Sequence, residues 1–336
     1  LTKSSTSDRK KDHIDLAFAS AIAKQDGRFY YEPVLGTHPT PNDKLEGFNI
    51  AGKQTKSPLW ISSMTGGTEL AGQINHNLAR ACNEFGLGMG LGSCRILLES
   101  DKYFKDFDLR DTIGDSLPFY ANLGIAQVEQ MLKEGKVSQI NELVGKLRAD
   151  GLIVHINPLQ EWLQPEGDRF QERPIDTLNK LIKMANYPII VKEVGQGMGP
   201  ESLLALMSLP LAAIEFGASG GTNFAKLELM RNRNGDAEYH EELAHIGHSA
   251  EEMIEFVNDI NSANNAFLCD KFIVSGGVKN YLDGYYLLNK IKSEAAFAMA
   301  SGFLKHAMGT YDELKEFTKL QLEGLKMANN LLRVRE

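Results

Sequence analysis
The chain has 336 residues, 43% hydrophobic and 24% charged, enough to bury one large core or two smaller ones. A net charge of -8 disfavours a general nucleic-acid or anionic-membrane surface and leaves room only for a local basic pocket around an anionic ligand. No apolar run approaches the roughly 20 residues needed to span a bilayer, and the first residues carry no signal-peptide core, so a cytoplasmic protein is expected.

Residues 8–57 precede the first apolar run and read as an N-terminal extension. Eight short apolar runs follow, at 58–62, 87–91, 118–122, 151–156, 188–193, 211–216, 271–275 and 296–300. Helix-like stretches separate most of them. At 68–85, Leu70, Ile74, Leu78, Ala81 and Phe85 recur with helical spacing, and further helices are predicted at 125–149, 174–186, 200–208, 281–292 and 302–308. Residues 218–270 read as an insertion, or lid, between the sixth and seventh strands, and 311–333 as a closing helix.

Eight strands alternating with helices predict an α/β fold, a single (β/α)₈ barrel domain longer than the roughly 250 residues of a plain one. A doubly wound open sheet shares the βαβ repeat, and the polar decoration decides against it. Each apolar run ends in small or polar residues, which a barrel gathers at one mouth and an open sheet strings along an edge. The fourth run is the most pronounced: Gly-Leu-Ile-Val-His-Ile ends in His155, Asn157, Gln160 and Glu161, with Pro158 stopping the strand.

The loops Ser275-Gly276-Gly277-Val278 and Met299-Ala300-Ser301-Gly302 offer open backbone N–H groups ahead of helices, where barrels commonly hold a phosphate. Thr222, after Gly220-Gly221, adds a hydroxyl. Lys192 ends the fifth run in an apolar context and needs an anionic partner, for which a ring carrying delocalised negative charge is suitable. Thr65, Ser93 and Asn122 can hydrogen-bond the rim of such a ring. Arg9, Lys10 and His13 form a basic cluster in an acidic chain, and Arg95 is a second candidate for the same anion. Cys82, Cys94 and Cys269 are widely spaced and indicate neither a zinc site nor a disulfide framework, and Cys94 reads as a packed thiol.

Arg9-Lys10-x-Asp12-His13, Met64-Thr65-Gly66-Gly67, Gly92-Ser93-x-Arg95, Asn122-Leu123-Gly124, His155-x-Asn157-Pro158-Leu159-Gln160-Glu161, Pro165-Glu166-Gly167-Asp168-Arg169, Val191-Lys192-Glu193, Gly220-Gly221-Thr222 and Ser275-Gly276-Gly277 together resemble the type 2 isopentenyl-diphosphate isomerases. The HxNPLQE and PEGDR segments are the specific part. The resemblance implies an FMN- and Mg²⁺-dependent enzyme that interconverts isopentenyl and dimethylallyl diphosphate on reduced flavin without net redox change, with NADPH as reductant, in a homo-oligomer of four or more chains. It implies that Met64, Thr65, Gly66, Ser93, Asn122, Lys192, Thr222, Gly276, Gly277, Val278, Ala300 and Ser301 contact FMN. Arg9, Lys10, His13, Arg95, His155 and Gln160 would face the substrate, and Glu161 would hold the metal. Gln160, His155 and Glu161 are the implied acid–base group.

Two departures stand out. His245-Ile246-Gly247-His248-Ser249-Ala250 replaces a Trp-Gly-x-Pro-Thr type segment, and Lys279 stands where Arg is usual. Two other functions compete. An FMN-dependent 2-hydroxy-acid oxidase would need a His base beside an Arg clamp near the seventh strand, which Ser275-Gly276-Gly277-Val278 does not offer. A non-catalytic phosphate-ligand sensor would leave Gln160 and Glu161 without a purpose.

Overall fold
Each apolar run is continuous rather than alternating, as strands covered on both faces must be. In the computed structural model, which describes residues 6–40, 42–232, 237–263 and 266–335, all eight become strands. They are β1 Leu59–Ile61, β2 Gly88–Gly90, β3 Phe119–Gly124, β4 Gly151–Ile156, β5 Ile189–Glu193, β6 Ala213–Glu215, β7 Lys271–Val274 and β8 Glu294–Met299. Every neighbouring pair is parallel, and β8 closes on β1 through Phe297 opposite Leu59, giving a closed (β/α)₈ barrel.

Helices surround it with sequence-encoded ends. Thr68 accepts from Ala71 N to start Glu69–Phe85, and Gly86 stops that helix in the left-handed conformation at φ 69°. Proline opens Pro158–Leu163, Pro174–Met184 and Pro200–Met207. The single helix expected at 125–149 is two, Ile125–Lys133 and Val137–Lys146. Gly135, at φ 67°, turns the chain between them.

The interior of the barrel is built in layers. Trp60, Tyr120, Ile153, Ile190, Ala213, Ile273, Ala296 and Ala298 form one apolar cluster, closed from below by Phe48 and Ile50. These two come from the antiparallel hairpin Asn49–Ile50 with Lys53–Gln54. A side chain at Gly88 would collide with Trp60, and one at Gly90 with Ile153, so both glycines make room for the packed interior. Because strand side chains alternate, the residues two further on from Trp60, Tyr120, Ile153, Ile190, Ala213 and Ile273 also face inward. Those residues are Ser62, Asn122, His155, Lys192, Glu215 and Ser275, a polar layer directly above the apolar one.

Phe29–Tyr31 pairs antiparallel with Leu332–Val334, tying the extension to the end of helix Tyr311–Leu331. Within 218–270, residues 233–236 and 264–265 lie outside the described residues. The remainder holds helix Phe224–Arg231, the 3₁₀ segment Ala237–His245 and helix Ala250–Ala263. The last packs between Pro200–Met207 and Tyr281–Lys290 as a surrounding barrel helix. The first two share a small apolar cluster, Leu163, Ala225, Leu229 and Ala244, with helix Pro158–Leu163. No helix among the described residues is long and apolar enough to cross a membrane.

Candidate active site
The polar layer is internally bonded. Ser62 donates its hydroxyl proton to Glu215 Oε1, and Lys192 Nζ lies 3.7 Å from the same oxygen while donating to Glu193 O at 2.7 Å. Glu215 is wholly buried and Lys192 only 8% exposed. Asn122 donates from Nδ2 to Leu91 O at 2.9 Å and bonds His155 Nδ1 through its oxygen at 2.8 Å. Burial, with the neighbouring Lys192 charge second, pushes His155 down from its ordinary 6.5 to about 4. Glu193 accepts from Gly195 N and Gln196 N at 2.7 Å and Gly197 N at 2.9 Å, yet burial still raises its pKa.

Above this layer lies a cavity of about 550 Å³. Met64, Lys192, Thr222, Gly276, Gly277, Val278, Ala300 and Ser301, all named from the sequence, line it. So do Lys279 and the apolar Phe224, Leu227 and Leu304. Thr65, Gly66, Ser93 and Asn122 are not among the lining residues. Gly66 is packed on Phe107, where a side chain would collide with the ring. Thr65 O accepts from Asn75 Nδ2 at 3.3 Å, the exposed Ser93 bonds Arg95 N at 3.4 Å, and Asn122 bonds Leu91 and His155.

A second group stands next to the cavity at the end of β4. Asn157 Nδ2 donates to Gln160 Oε1 at 3.1 Å and to Glu161 Oε1 at 3.0 Å, and Asp168 N donates to Glu161 Oε2 at 2.7 Å. Gln160 Nε2 in turn donates to Glu228 Oε1 at 3.2 Å. Glu228 is 2% exposed and sits on the helix whose Phe224 and Leu227 face the cavity. The two groups are thereby joined. Asp168 also accepts from Arg95 Nη1 and Gln127 Nε2, each at 2.9 Å.

The N-terminal cluster is placed elsewhere. Arg9, Lys10 and His13 are exposed on helix Thr6–Leu16, which has no buried residue. Cys94 is fully buried with its thiol pushed up to about 12, the state of an inert packed cysteine. His248 packs edge-on against Phe256, and among the described residues no group of three or more His, Cys, Asp or Glu converges as a metal site. Sequence reasoning missed Glu215 and Glu228. The first left one signal, an acid inside the apolar run Leu-Ala-Ala-Ile-Glu-Phe.

No protein-family model matches the chain. Among solved structures, a variant of flavocytochrome b2 with sulfite bound superposes with a TM-score of 0.61 at 13% identity, covering 94% of this chain and 78% of that one. A mandelate oxidase variant with the monooxide FMN adduct gives 0.57 at 11% identity, covering 92% and 88%. These likenesses are of fold. Curated relatives are nearer: an isopentenyl-diphosphate delta-isomerase of Rickettsia felis is 31% identical over 327 residues, covering 95% of this chain and 91% of its own length. Its namesake from Rickettsia conorii is 30% identical over 326 residues, covering 95% and 92%. Identity of that extent, over nearly the full length of both chains, shows that the protein belongs to the isopentenyl-diphosphate delta-isomerase family.

Proposed function
We propose that the protein is a type 2 isopentenyl-diphosphate delta-isomerase, with FMN in the 550 Å³ cavity and Mg²⁺ on Glu161. The observation that carries this reading is a glycine-walled cavity with a buried lysine on its lining, beside a carboxylate–amide group whose Gln160 bonds Glu228 on the helix that carries the lining residues Phe224 and Leu227.

The residues present fit the flavin. Gly220-Gly221 faces Gly276-Gly277 closely enough that a Cβ at Gly220 would come 3.2 Å from Gly277 Cα, so these loops leave backbone open to a phosphate. Lys279 and Ser301 add a cation and a hydroxyl on the same lining, and Lys192 supplies positive charge at the floor. Bound and reduced, FMN would supply an electron-rich ring able to exchange a proton with the substrate and to stabilise positive charge on it. Glu161 fits Mg²⁺ as a single carboxylate, oriented by Asn157 and Asp168 with lone pairs to spare, to be completed by diphosphate oxygens and water.

The reaction adds a proton to a terminal alkene carbon and removes one from an allylic carbon. Arg95 would hold the diphosphate, with Arg9, Lys10 and His13 as further cations and Glu161 as the ligand through which Mg²⁺ would add charge there, so that the hydrocarbon end would be fixed in the cavity. Phe224, Leu227 and Leu304 exclude water there. Gln160, held between Asn157 and Glu228, orients the alkene or passes a proton toward Glu228 and Glu161. His155, neutral at physiological pH, offers Nε2 as an acceptor. NADPH as reductant, assembly into a tetramer or larger, and residence in the cytoplasm complete the proposal.

The decisive experiment is anaerobic incubation of FMN-loaded, NADPH-reduced protein with isopentenyl diphosphate and Mg²⁺. Dimethylallyl diphosphate should form, and equal turnover with oxidised FMN would sink the reduced-flavin mechanism. Hydroxy-acid oxidation is favoured only by the fold likeness, and bleaching of bound flavin by lactate or glycolate would establish it. A phosphate-ligand sensor predicts binding of isopentenyl diphosphate without turnover.

A further inference from the structure
We propose that Glu215 is a positioning residue that sets how strongly Lys192 favours an anionic ring over a neutral one in the cavity. The proposal rests on reading the cavity as the FMN site.

Glu215 is the one acidic group of the polar layer, and the scheme above gives it no task. It is 0% exposed, its Oε1 takes the Ser62 hydroxyl and lies 3.7 Å from Lys192 Nζ, and its Oε2 has no hydrogen-bond partner among the described residues. A fully buried carboxylate is costly, and in a barrel whose lower layer is filled by Ile190 and Ala213 an apolar side chain would pack at less cost. What the carboxylate adds is a charge beside Lys192. That lysine is fixed at both sides, by Glu193 O at 2.7 Å and by Glu215, and it lines the cavity.

The consequence follows from charge. Oxidised flavin has a neutral ring, and reduced flavin at neutral pH an anionic one. A bare buried ammonium would discriminate strongly between them. A carboxylate 3.7 Å from the ammonium offsets part of its field, in a site where low polarity makes every charge count. Glu215 therefore moderates the preference of Lys192 for the anionic ring while holding the ammonium in place.

The test titrates oxidised FMN, and separately dithionite-reduced FMN under anaerobic conditions, into the apo form of the full chain. The readout is the ratio of the two affinities, which the midpoint potential of the bound flavin reports independently. Glu215→Gln keeps the shape and an acceptor for Ser62 while removing the charge, and should raise the ratio in favour of reduced FMN by about tenfold. Ser62→Ala leaves the carboxylate to Lys192 alone and should lower the ratio, a direction still readable if Glu215→Gln fails to fold. A purely structural role weakens both affinities alike, and an unchanged ratio in both variants overturns the proposal. Absence of FMN binding by the unaltered protein would instead refute the reading of the cavity, and this proposal with it.

Discussion
His155 Nδ1 lies 2.8 Å from Asn122 Oδ1, and because Asn122 Nδ2 is committed to Leu91 O, the imidazole must be the donor. The proton therefore rests on Nδ1 and the Nε2 lone pair is free. With its pKa depressed to about 4, His155 stays neutral in the folded protein while the same residue in the unfolded chain takes a proton near 6.5. The unfolded state binds more protons in that interval, so the stability linked to His155 is full above pH 6.5 and is lost as pH falls towards 4. The loss is up to about 3 kcal/mol. Denaturant midpoints measured from pH 7 to 4 should show this slope, and His155→Gln should flatten it. An unchanged slope would mean that other groups carry it.

Gln160 is held by Asn157 on one side and Glu228 on the other, and neither bond touches the cavity lining. Gln160→Ala should leave FMN absorbance and affinity intact and lower turnover by about 100-fold. Glu228→Gln retains an acceptor for Gln160 but removes a charge, so it should lower kcat with little change in KM. Full activity in both variants would remove the pair from the chemistry.

Glu161 is the lone carboxylate proposed for Mg²⁺. Chelation by EDTA should abolish turnover and leave the flavin bound, since no Glu161 contact involves the cavity lining. Glu161→Gln should raise the Mg²⁺ concentration for half-maximal rate by at least about tenfold. Activity without divalent cations would sink the assignment.

The barrel was readable because its eight apolar runs are continuous, and the helix at 68–85 because Leu70, Ile74, Leu78, Ala81 and Phe85 recur with helical spacing, whereas Pro158, read only as stopping β4, also opens helix Pro158–Leu163. The break at Gly135 was not, because glycine is tolerated within helices and only its left-handed conformation in the structure shows the turn. At the site, glycine loops and a strand-end lysine are local signals, and the residues they mark stand together on one cavity lining. Asn122, expected at the ring rim, also holds His155 across β3 and β4, a contact set by pleat and register that the sequence does not display. Glu228 reaches Gln160 from 68 residues away in sequence, and no local pattern encodes that.

Phe48 and Ile50 close the lower end of the barrel beneath Trp60 and Tyr120, and each is 1% exposed. Removing the Phe48 ring leaves a void in a layer fixed by the surrounding strands. Phe48→Ala should therefore cost about 3–5 kcal/mol in urea unfolding. FMN affinity of the folded fraction should persist, because the polar layer lies between this plug and the cavity. A cost below 1 kcal/mol would show that the hairpin is not part of the core.

The N-terminal helix Thr6–Leu16 separates stability from binding. None of its residues is buried, so deleting residues 1–16 should shift Tm by less than about 1 °C. Arg9, Lys10 and His13 are nonetheless proposed to meet the diphosphate, and a helix without buried contacts can move to it when the anion arrives, at the cost of ordering the segment. The deletion should raise KM for isopentenyl diphosphate at least tenfold and leave FMN affinity unchanged, with the effect largest at low ionic strength, where exposed cations act furthest. Unaltered KM at low salt would show that the cluster is solvated surface charge, and the diphosphate would then rest on Arg95 and the Glu161-bound metal alone.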